Sequence, residues 1–357
     1  MRKVFAMSSL ALVFAGCDAG PGDPKSPDAQ SVDLGLSSGY DAKLILKGLN
    51  NPSHVSFRPG DNALTVCDSG NGMVLVNERG VGHATKFVSE FDTEFWKIDT
   101  EKKVSRYKLG PLCASWLGET SLVVSDGGHP DSKDTIAFFD KPCRAADAIG
   151  RTNAIAPTST DAKDKGEGNF TGFAVTPDRK AIYVCSHGAD AKTWILRCDV
   201  ETRKLEPLLS ADDHGIATNS PMQALLRGEN RLLVLYSGAG GVADGLLVEW
   251  DLVEKKPIAQ WKLPGLNDPM GMDFLPGHSD ELAVVDNNWS LTQVNEGRLA
   301  HVRLPSGGGE AEVLIVGTKL KGPVSCAFGP DARLYIAQLG EAFDEGKGTV
   351  VSVGGLK

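Results

Sequence analysis

The sequence predicts an all-β protein, namely a six-bladed β-propeller of four-stranded antiparallel blades whose last blade is closed by an N-terminal strand. Three observations support this prediction. A two-stranded hairpin pattern recurs six times along the chain. Successive repeats start 48 to 59 residues apart, which leaves room for four short strands in each. Glycine (41 residues) and proline (19) are abundant among the 357 residues, and turn-forming residues at this density favour many short elements over long helices.

The first element along the chain, residues 1–17, is predicted to be a bacterial lipoprotein signal peptide. Two basic residues open it, and residues 4–15 form an apolar stretch that is too short for a stable membrane span. The stretch ends in Ala15-Gly16-Cys17, which resembles the lipobox of bacterial lipoproteins. This resemblance implies that Cys17 is lipidated and becomes the mature N-terminus, so a membrane is a predicted partner. An ordinary cleaved signal peptide is the alternative.

The second element, residues 18–39, is predicted to be a disordered tether. It is rich in Pro, Gly, Asp and Ser and has almost no large apolar side chain, so it cannot bury enough surface to fold. As a flexible coil of about 21 residues it would span roughly 25 Å. The propeller is predicted to occupy residues 40–357. The formal net charge of −9 argues against nucleic acid as a partner.

The repeat itself consists of two strands joined by a turn. The second strand is aliphatic at its first and third positions and ends in a polar residue, as in Leu64–Asp68, Leu122–Asp126, Ile182–Ser186, Leu233–Ser237, Leu282–Asp286 and Leu334–Gln338. The first strand begins 11 to 13 residues earlier, at Pro52, Pro111, Phe170, Pro221, Pro269 and Pro323. Turn-forming residues such as Pro-Gly, Pro-Asp and Gly-Glu separate the two strands each time.

Each repeat has room for two further strands, which completes a four-stranded blade. In the third repeat the predicted strands are Thr171–Thr176, Ala181–His187, Thr193–Val200 and Lys204–Ser210. The last repeat supplies only three strands, ending with Gly348–Gly354, whereas Ala42–Leu49 precedes the first repeat and is left over. We therefore expect Ala42–Leu49 to be the outermost strand of the last blade. Two packed β-sandwiches would not explain six evenly spaced hairpins.

Six cysteines remain after Cys17, in a chain that the signal peptide would send to an oxidising compartment. They are Cys67, Cys113, Cys143, Cys185, Cys198 and Cys326. Their spacing selects none of the 15 possible disulfide connectivities, and there is no CxxC motif. Buried free thiols on strands are an equally good interpretation.

Functional residues are expected at one mouth of the central channel. Side chains alternate along a strand, so the second and fourth residues after each strand start should face the channel. The ends of the second strands and the loops after them should surround its mouth. The candidate ligand-binding residues are His54, Asp68, Asp126, His129, His187, Gln223, Asp286, Asn287 and Gln338. Their carboxylate and amide oxygens suit a polar or cationic ligand or Ca²⁺, although Asp and Asn after a strand are also ordinary turn residues.

The repeat resembles the six-bladed propellers of the NHL-repeat, gluconolactonase-like and soluble quinoprotein dehydrogenase group. The closest stretches are GFAVTPDRKAIYV from Gly172 and GPVSCAFGPDARLYIAQLG from Gly322. The resemblance implies the fold and two possible activities, a metal-dependent lactonase and a quinone-dependent sugar dehydrogenase. The lactonases hold their metal with Glu, Asn and Asp near the first-strand starts, whereas this chain has Phe170-Thr171-Gly172 and Pro269-Met270-Gly271 at the matching positions. No catalytic residue is therefore assigned.

The sequence predicts a binding module of the bacterial cell envelope, periplasmic or surface-exposed, with a protein or polysaccharide as a further possible partner. The alternative is an enzyme that uses the same mouth. The enzyme hypothesis requires His54, Asp126, His187 and Asp286 to converge in one small site. No cofactor is assigned with certainty, and Ca²⁺ is the one considered.

Overall fold

The structure is a computed structural model that describes residues 29–78, 80–99, 104–129, 133–153, 169–187, 193–288, 296–340 and 346–356. The predicted signal peptide, the lipidation site Cys17 and the first part of the tether lie outside these residues. Within them the secondary structure is β-strand with three single-turn 3₁₀ helices. No helix in the described ranges is long and apolar enough to cross a membrane.

Six antiparallel sheets form the blades of a propeller, as the sequence predicts. The chain begins with β1 (Asp41–Leu49) and then builds blade 1 from β2 (Pro52–Phe57), β3 (Leu64–Asp68), β4 (Met73–Asn77) and β5 (Thr85–Ser89). A separate hairpin follows, made of β6 (Glu94–Asp99) and β7 (Val104–Leu109). Blade 2 contains β8 (Pro111–Trp116), β9 (Leu122–Asp126) and β10 (Thr135–Phe139), followed by β11 (Cys143–Arg144) and β12 (Gly150–Asn153).

The remaining blades follow the same order. Blade 3 consists of β13 (Phe170–Val175), β14 (Ala181–His187), β15 (Thr193–Asp199) and β16 (Leu205–Ser210). Blade 4 consists of β17 (Pro221–Leu226), β18 (Arg231–Tyr236), β19 (Leu246–Asp251) and β20 (Lys256–Lys262). Blade 5 consists of β21 (Pro269–Phe274), β22 (Glu281–Asp286), β23 (Glu296–Arg303) and β25 (Glu312–Lys321), and the short β24 (Gly309–Glu310) lies between β23 and β25 in the chain. Blade 6 contains β26 (Pro323–Phe328), β27 (Leu334–Gln338) and β28 (Gly348–Gly354).

Strand β1 closes the ring, which confirms the prediction for the leftover N-terminal strand. It pairs antiparallel with β28 from Asp41–Gly354 to Leu49–Gly348 and so becomes the fourth strand of blade 6. The inner strands contact one another in chain order, and β26 contacts β2 to complete the circle. The first and last parts of the fold are thereby held in one blade.

The hydrophobic core lies between the blades. Six clusters of buried apolar residues are present, one for each pair of neighbouring blades. The cluster between blades 5 and 6, for example, joins Val285 and Leu299 to Ile336 and Val351. Each blade therefore buries both faces, which explains why the second strands are almost entirely aliphatic.

Two short strands connect neighbouring blades, because each pairs with the outer strand of the preceding blade. β11 leaves blade 2 and pairs in parallel with β5 of blade 1. β24 likewise leaves blade 5 and pairs in parallel with β20 of blade 4. These additions make blades 1 and 4 five-stranded.

The last part of the predicted tether, residues 29–39, packs against blades 5 and 6, and we call it the N-terminal strap. Leu34 is 5% exposed and belongs to the core cluster between these blades. The backbone N–H of Ser37 donates to the carbonyl of Val316 (2.9 Å), and Thr318 and Lys319 donate to the carbonyl of Leu34. Residues 29–39 of the predicted tether thus contact the propeller, because Leu34 and its apolar neighbours bury surface against these blades.

The six cysteines of the propeller are free thiols, which favours the second of the two interpretations left open by the sequence. Five of them are buried, and Cys143 is partly buried. Burial raises the pKa of the buried thiols, for example that of Cys198 to about 12. They behave as small apolar core residues.

Candidate functional site

A cavity of about 380 Å³ lies at the end of the channel where the inner strands begin. All six inner strands contribute to it through the residue that follows the strand start, and these six residues are Ser53, Leu112, Thr171, Met222, Met270 and Val324. Further lining comes from loops around the mouth, including Asn51, Asn169, Ser220 and Asn287. Its size and its partly apolar lining are typical of small-molecule sites.

A β-bulge at the same place in every inner strand explains why these six residues line the cavity. In blade 1, Pro52 pairs with Asp68 and His54 pairs with the adjacent Cys67, so Ser53 has no partner. The same irregularity occurs in the other five blades. A bulge interrupts the strict alternation of side chains and redirects the extra residue. Unbroken alternation would direct these six side chains away from the channel, so the sequence pattern did not predict them.

The second residues after the strand starts form a narrower ring, and three of them, His54, Gln223 and Ser325, line the cavity as expected. Gly172 and Gly271, the two glycines in this ring, allow neighbouring inner strands to pack closely. A Cβ atom on Gly172 would lie 2.4 Å from the carbonyl oxygen of Met222, and one on Gly271 would lie 2.7 Å from the Cα of Ser325. His54 and Gln223 are therefore the two long polar side chains at this level.

The fourth residues after the strand starts do not line the cavity, contrary to the expectation from alternation. Ser56 donates its hydroxyl to the carbonyl of Ala114 in blade 2 (2.9 Å). Asp273 accepts the backbone N–H of Phe328 in blade 6 (2.7 Å), and burial raises the pKa of its carboxyl to about 6. These side chains connect neighbouring inner strands below the mouth.

His54 is 5% exposed. Its Nδ1 is buried and has no hydrogen-bond partner in the described part of the chain. Burial lowers the pKa of the imidazole to about 4, because the charged form would lose its hydration. The ring is therefore neutral at pH 7 and offers one N–H donor and one nitrogen acceptor.

Gln223 is 8% exposed, and its carboxamide makes no hydrogen bond to any described residue. It stands on blade 4, three blades from His54 in either direction around the ring. The two residues therefore lie on opposite sides of the channel axis. Polar side chains that line a cavity without a protein partner indicate a site for a ligand or water.

Three other polar side chains that line the cavity are already engaged as donors. The Ser53 hydroxyl donates to the carbonyl of Pro111 (2.9 Å), and the Thr171 hydroxyl donates to the carbonyl of Pro221 (2.6 Å). The Nδ2 of Asn287 donates to the carbonyl of Pro323 (3.0 Å). Each of these bonds joins one blade to the next and leaves an oxygen acceptor on the donor side chain.

Asp68 and Asp286, at the ends of their second strands, hold the backbone of the mouth rather than line the cavity. Asp68 accepts the N–H of Asn50 (2.7 Å). Asp286 accepts the N–H of Asp268 (2.7 Å), and its other oxygen accepts the Nε–H of Arg298 (2.7 Å). In blade 6 the carboxamide of Gln338 accepts the N–H of Lys321 in the same way (2.7 Å). The turn-residue interpretation therefore accounts for the contacts of Asp68, Asp286 and Gln338.

Asp126 is 2% exposed and pairs with Arg151, whose Nη1 lies 2.6 Å from its Oδ2. His129 approaches the same oxygen through Nε2 (3.3 Å). Neither Asp126 nor His129 lines the cavity, whereas His187 does. Of the four residues that the enzyme hypothesis required to converge, His54 and His187 share the cavity, and Asp126 and Asp286 do not. Of the remaining candidates, Gln223 and Asn287 line it as well.

Among the described residues that line the cavity, one carries a carboxylate. Among the described residues that line it there is no Lys, Arg or Glu, and no Phe, Tyr or Trp. Its carboxylate, Asp268, is 2% exposed and accepts the N–H of Gly241 (2.8 Å). The walls above the His54 level include Leu109, Leu112 and Leu339 together with two methionines.

Neither cofactor implied by the family resemblance fits these residues. In the described ranges no group of three or more His, Cys, Asp or Glu side chains is placed to hold a metal ion. A quinone cofactor with several carboxylates needs basic partners, and no described lining residue is basic. We therefore derive no reaction through either group.

No family model matches the sequence, and no curated protein sequence matches it. Solved structures do resemble the fold. A putative oxidoreductase (glucose dehydrogenase) from Thermus thermophilus aligns with a TM-score of 0.57 and 14% identity over 88% of this chain and 100% of the other. The PQQ-bound aldose sugar dehydrogenase from Streptomyces coelicolor aligns with a TM-score of 0.55 and 12% identity over 89% of this chain and 99% of the other.

A putative 6-phosphogluconolactonase from Bacteroides uniformis aligns with a TM-score of 0.51 and 14% identity over 85% of this chain and 88% of the other. These propellers carry different named activities on similar folds, and fold alone does not determine function. At 12–14% identity the likeness shows that this chain shares their propeller fold.

Proposed function

We propose that this protein is a small-molecule-binding propeller of the bacterial cell envelope, which takes an uncharged ligand into its mouth cavity. The observation that carries the proposal is the cavity of about 380 Å³ to which all six inner strands contribute a redirected side chain. Such a volume accommodates a metabolite-sized molecule. The lack of basic residues in its described lining disfavours an anionic ligand.

Binding is favoured over catalysis by the chemistry of the lining. The described ranges hold no metal-binding cluster. The pKa of His54, lowered to about 4 by burial, makes it a weak base at neutral pH. A dehydrogenase or lactonase activity is supported by likeness of fold alone, so we do not adopt it.

The envelope location rests on the sequence of residues 1–17. A charged start, an apolar stretch and a small-small-Cys ending together favour lipidation of Cys17. Conversion of Cys17 to Ala should move the expressed protein from the membrane fraction to the soluble fraction of a bacterial host. An unchanged membrane association of this variant would contradict the anchor.

The binding function is tested by a thermal-shift screen of uncharged fragments against the full chain and two tryptophan variants. Met270→Trp fills the cavity from blade 5. Ile258→Trp is the matched control, because Ile258 is 43% exposed on the outer strand of blade 4. We expect fragments that raise the Tm of the wild type and the control but not of Met270→Trp. A screen without hits, or hits that Met270→Trp retains, would overturn the proposal.

A further inference from the structure

His54 and Gln223 form an opposed pair at the floor of the mouth cavity. Both follow a bulge at the same height of their inner strands, β2 and β17. The intervening positions at this level are small, namely Cys113, Gly172, Gly271 and Ser325. A molecule on the channel axis would therefore meet one long polar side chain on each side.

Gln223 offers a complete carboxamide to such a molecule. Its oxygen accepts two hydrogen bonds and its nitrogen donates two, and none of them is used within the described chain. A carboxamide pairs in two-point fashion with a group that presents a donor and an acceptor side by side. An unionised amide or lactam edge has this arrangement, whereas an ester lacks the donor.

His54 supplies the opposite contact. His54 lines the cavity from blade 1, and its ring carries no charge at neutral pH. Ser325, beside it in the ring, already accepts the backbone N–H of Val55 (3.3 Å). The imidazole is suited to a single hydrogen bond with an uncharged polar atom. Asn51 lines the cavity on the same side, and its Oδ1 also has no partner in the described chain.

The walls above this pair are apolar. Leu112, Met222, Met270 and Val324 face the cavity from four different blades. Methionine side chains adapt to irregular apolar shapes. No described lining residue supplies an aromatic platform for a sugar ring, and none supplies a cation for an acid.

We propose that the mouth cavity recognises an uncharged ligand with an amide or lactam edge on an apolar body, Gln223 pairing with the amide edge and His54 contacting the opposite side. This inference rests on the binding function proposed above and specifies its ligand class. The Gln223 carboxamide, which has no protein partner among the described residues, obtains a two-point pairing, and the apolar body is removed from water between the leucine and methionine side chains.

The inference is tested with three probes that share one apolar body: 4-phenylbenzamide, N,N-dimethyl-4-phenylbenzamide and methyl biphenyl-4-carboxylate. Only the first presents N–H beside C=O. Binding is measured by ligand-observed NMR titration of the full chain, Gln223→Met and the control Gln260→Met. Gln223 has no partner to abandon in the described chain, so Gln223→Met should fold normally. Gln260 is exposed on the outer strand of the same blade.

We expect the wild type and Gln260→Met to bind the primary amide roughly tenfold more tightly than the two other probes, the effect of one to two neutral hydrogen bonds. Gln223→Met should bind all three equally. Equal binding of all three probes by the wild type would overturn the inference and leave the binding function standing. A preference that persists in Gln223→Met would overturn it as well. If no probe binds and the fragment screen also fails, both proposals fall.

Discussion

Asp286 allows a sharp test of whether the mouth carboxylates are structural or bind a cation. Its side chain is fully buried. Its Oδ1 accepts the N–H of Asp268 and its Oδ2 accepts the Nε–H of Arg298, both at 2.7 Å. The Nη2 of Arg298 lies 2.6 Å from the same Oδ2. Asp286→Ala would remove the partner of a backbone N–H and of a guanidinium in one step.

The expected decrease in the free energy of unfolding follows from these contacts. Removal of one member of a buried ion pair costs about 3–5 kcal/mol. The Arg298 side chain is 24% exposed, so water reaches part of it and the lower end, about 3 kcal/mol, is expected. Unfolding entropies of about 2.1 cal/mol/K per residue, over roughly 320 residues, convert this loss into a decrease in Tm of about 4 °C.

The assay is thermal and urea unfolding of the wild type, Asp286→Ala and the control Asp280→Ala, each with EDTA and with excess Ca²⁺. Asp280 is exposed in the same blade, so its replacement should change the free energy of unfolding by less than about 0.5 kcal/mol. A loss below about 1 kcal/mol for Asp286→Ala would refute the structural role. So would a Ca²⁺-dependent rise in the Tm of the wild type that Asp286→Ala abolishes.

Two further predictions concern other parts of the fold. Burial raises the pKa of the Asp134 carboxyl to about 7, above its unfolded value near 4. Its contribution to stability is therefore fully present below about pH 4 and is lost as the pH rises through about 7, and Asp134→Asn should flatten this part of a pH series of unfolding free energies. A curve with unchanged slope would contradict this. Leu34→Ala in the N-terminal strap should cost about 2–3 kcal/mol, whereas Leu314→Ala, at a side chain that is 60% exposed, should cost almost nothing. Equal urea midpoints for these two variants would show that the strap is not docked in solution.

Blade number, strand order and ring closure could be predicted from the sequence because each depends on a local pattern. The aliphatic second strands and the turns before them repeat six times, and their starts at Pro52, Pro111 and Pro269 agree with the structure. The leftover strand Asp41–Leu49 could be placed in blade 6 by elimination, since the last repeat supplied only three strands. The hairpin pattern and the number of strands in each repeat were therefore sufficient to predict these features.

The site could be predicted only in part. His54 and Gln223 were selected by alternation, which is a property of the single strand. The bulged residues such as Met222 and Met270 were missed, because a bulge is a relation between two paired strands. The recurrent proline at five of the six strand starts marks this position, and a signal for it was therefore present in the sequence.

The sequence by itself determined that the chain forms six blades, since hydrophobic periodicity and turn residues act over a few residues at a time. Tertiary structure alone decided which polar side chains retain free hydrogen-bonding groups. Asp286 and Gln223 both looked like candidates, yet Asp286 is engaged by Asp268 and Arg298, whereas Gln223 has no partner among the described residues. Whether a polar group is engaged depends on atoms brought together from distant parts of the chain, and only the folded ring contains that information.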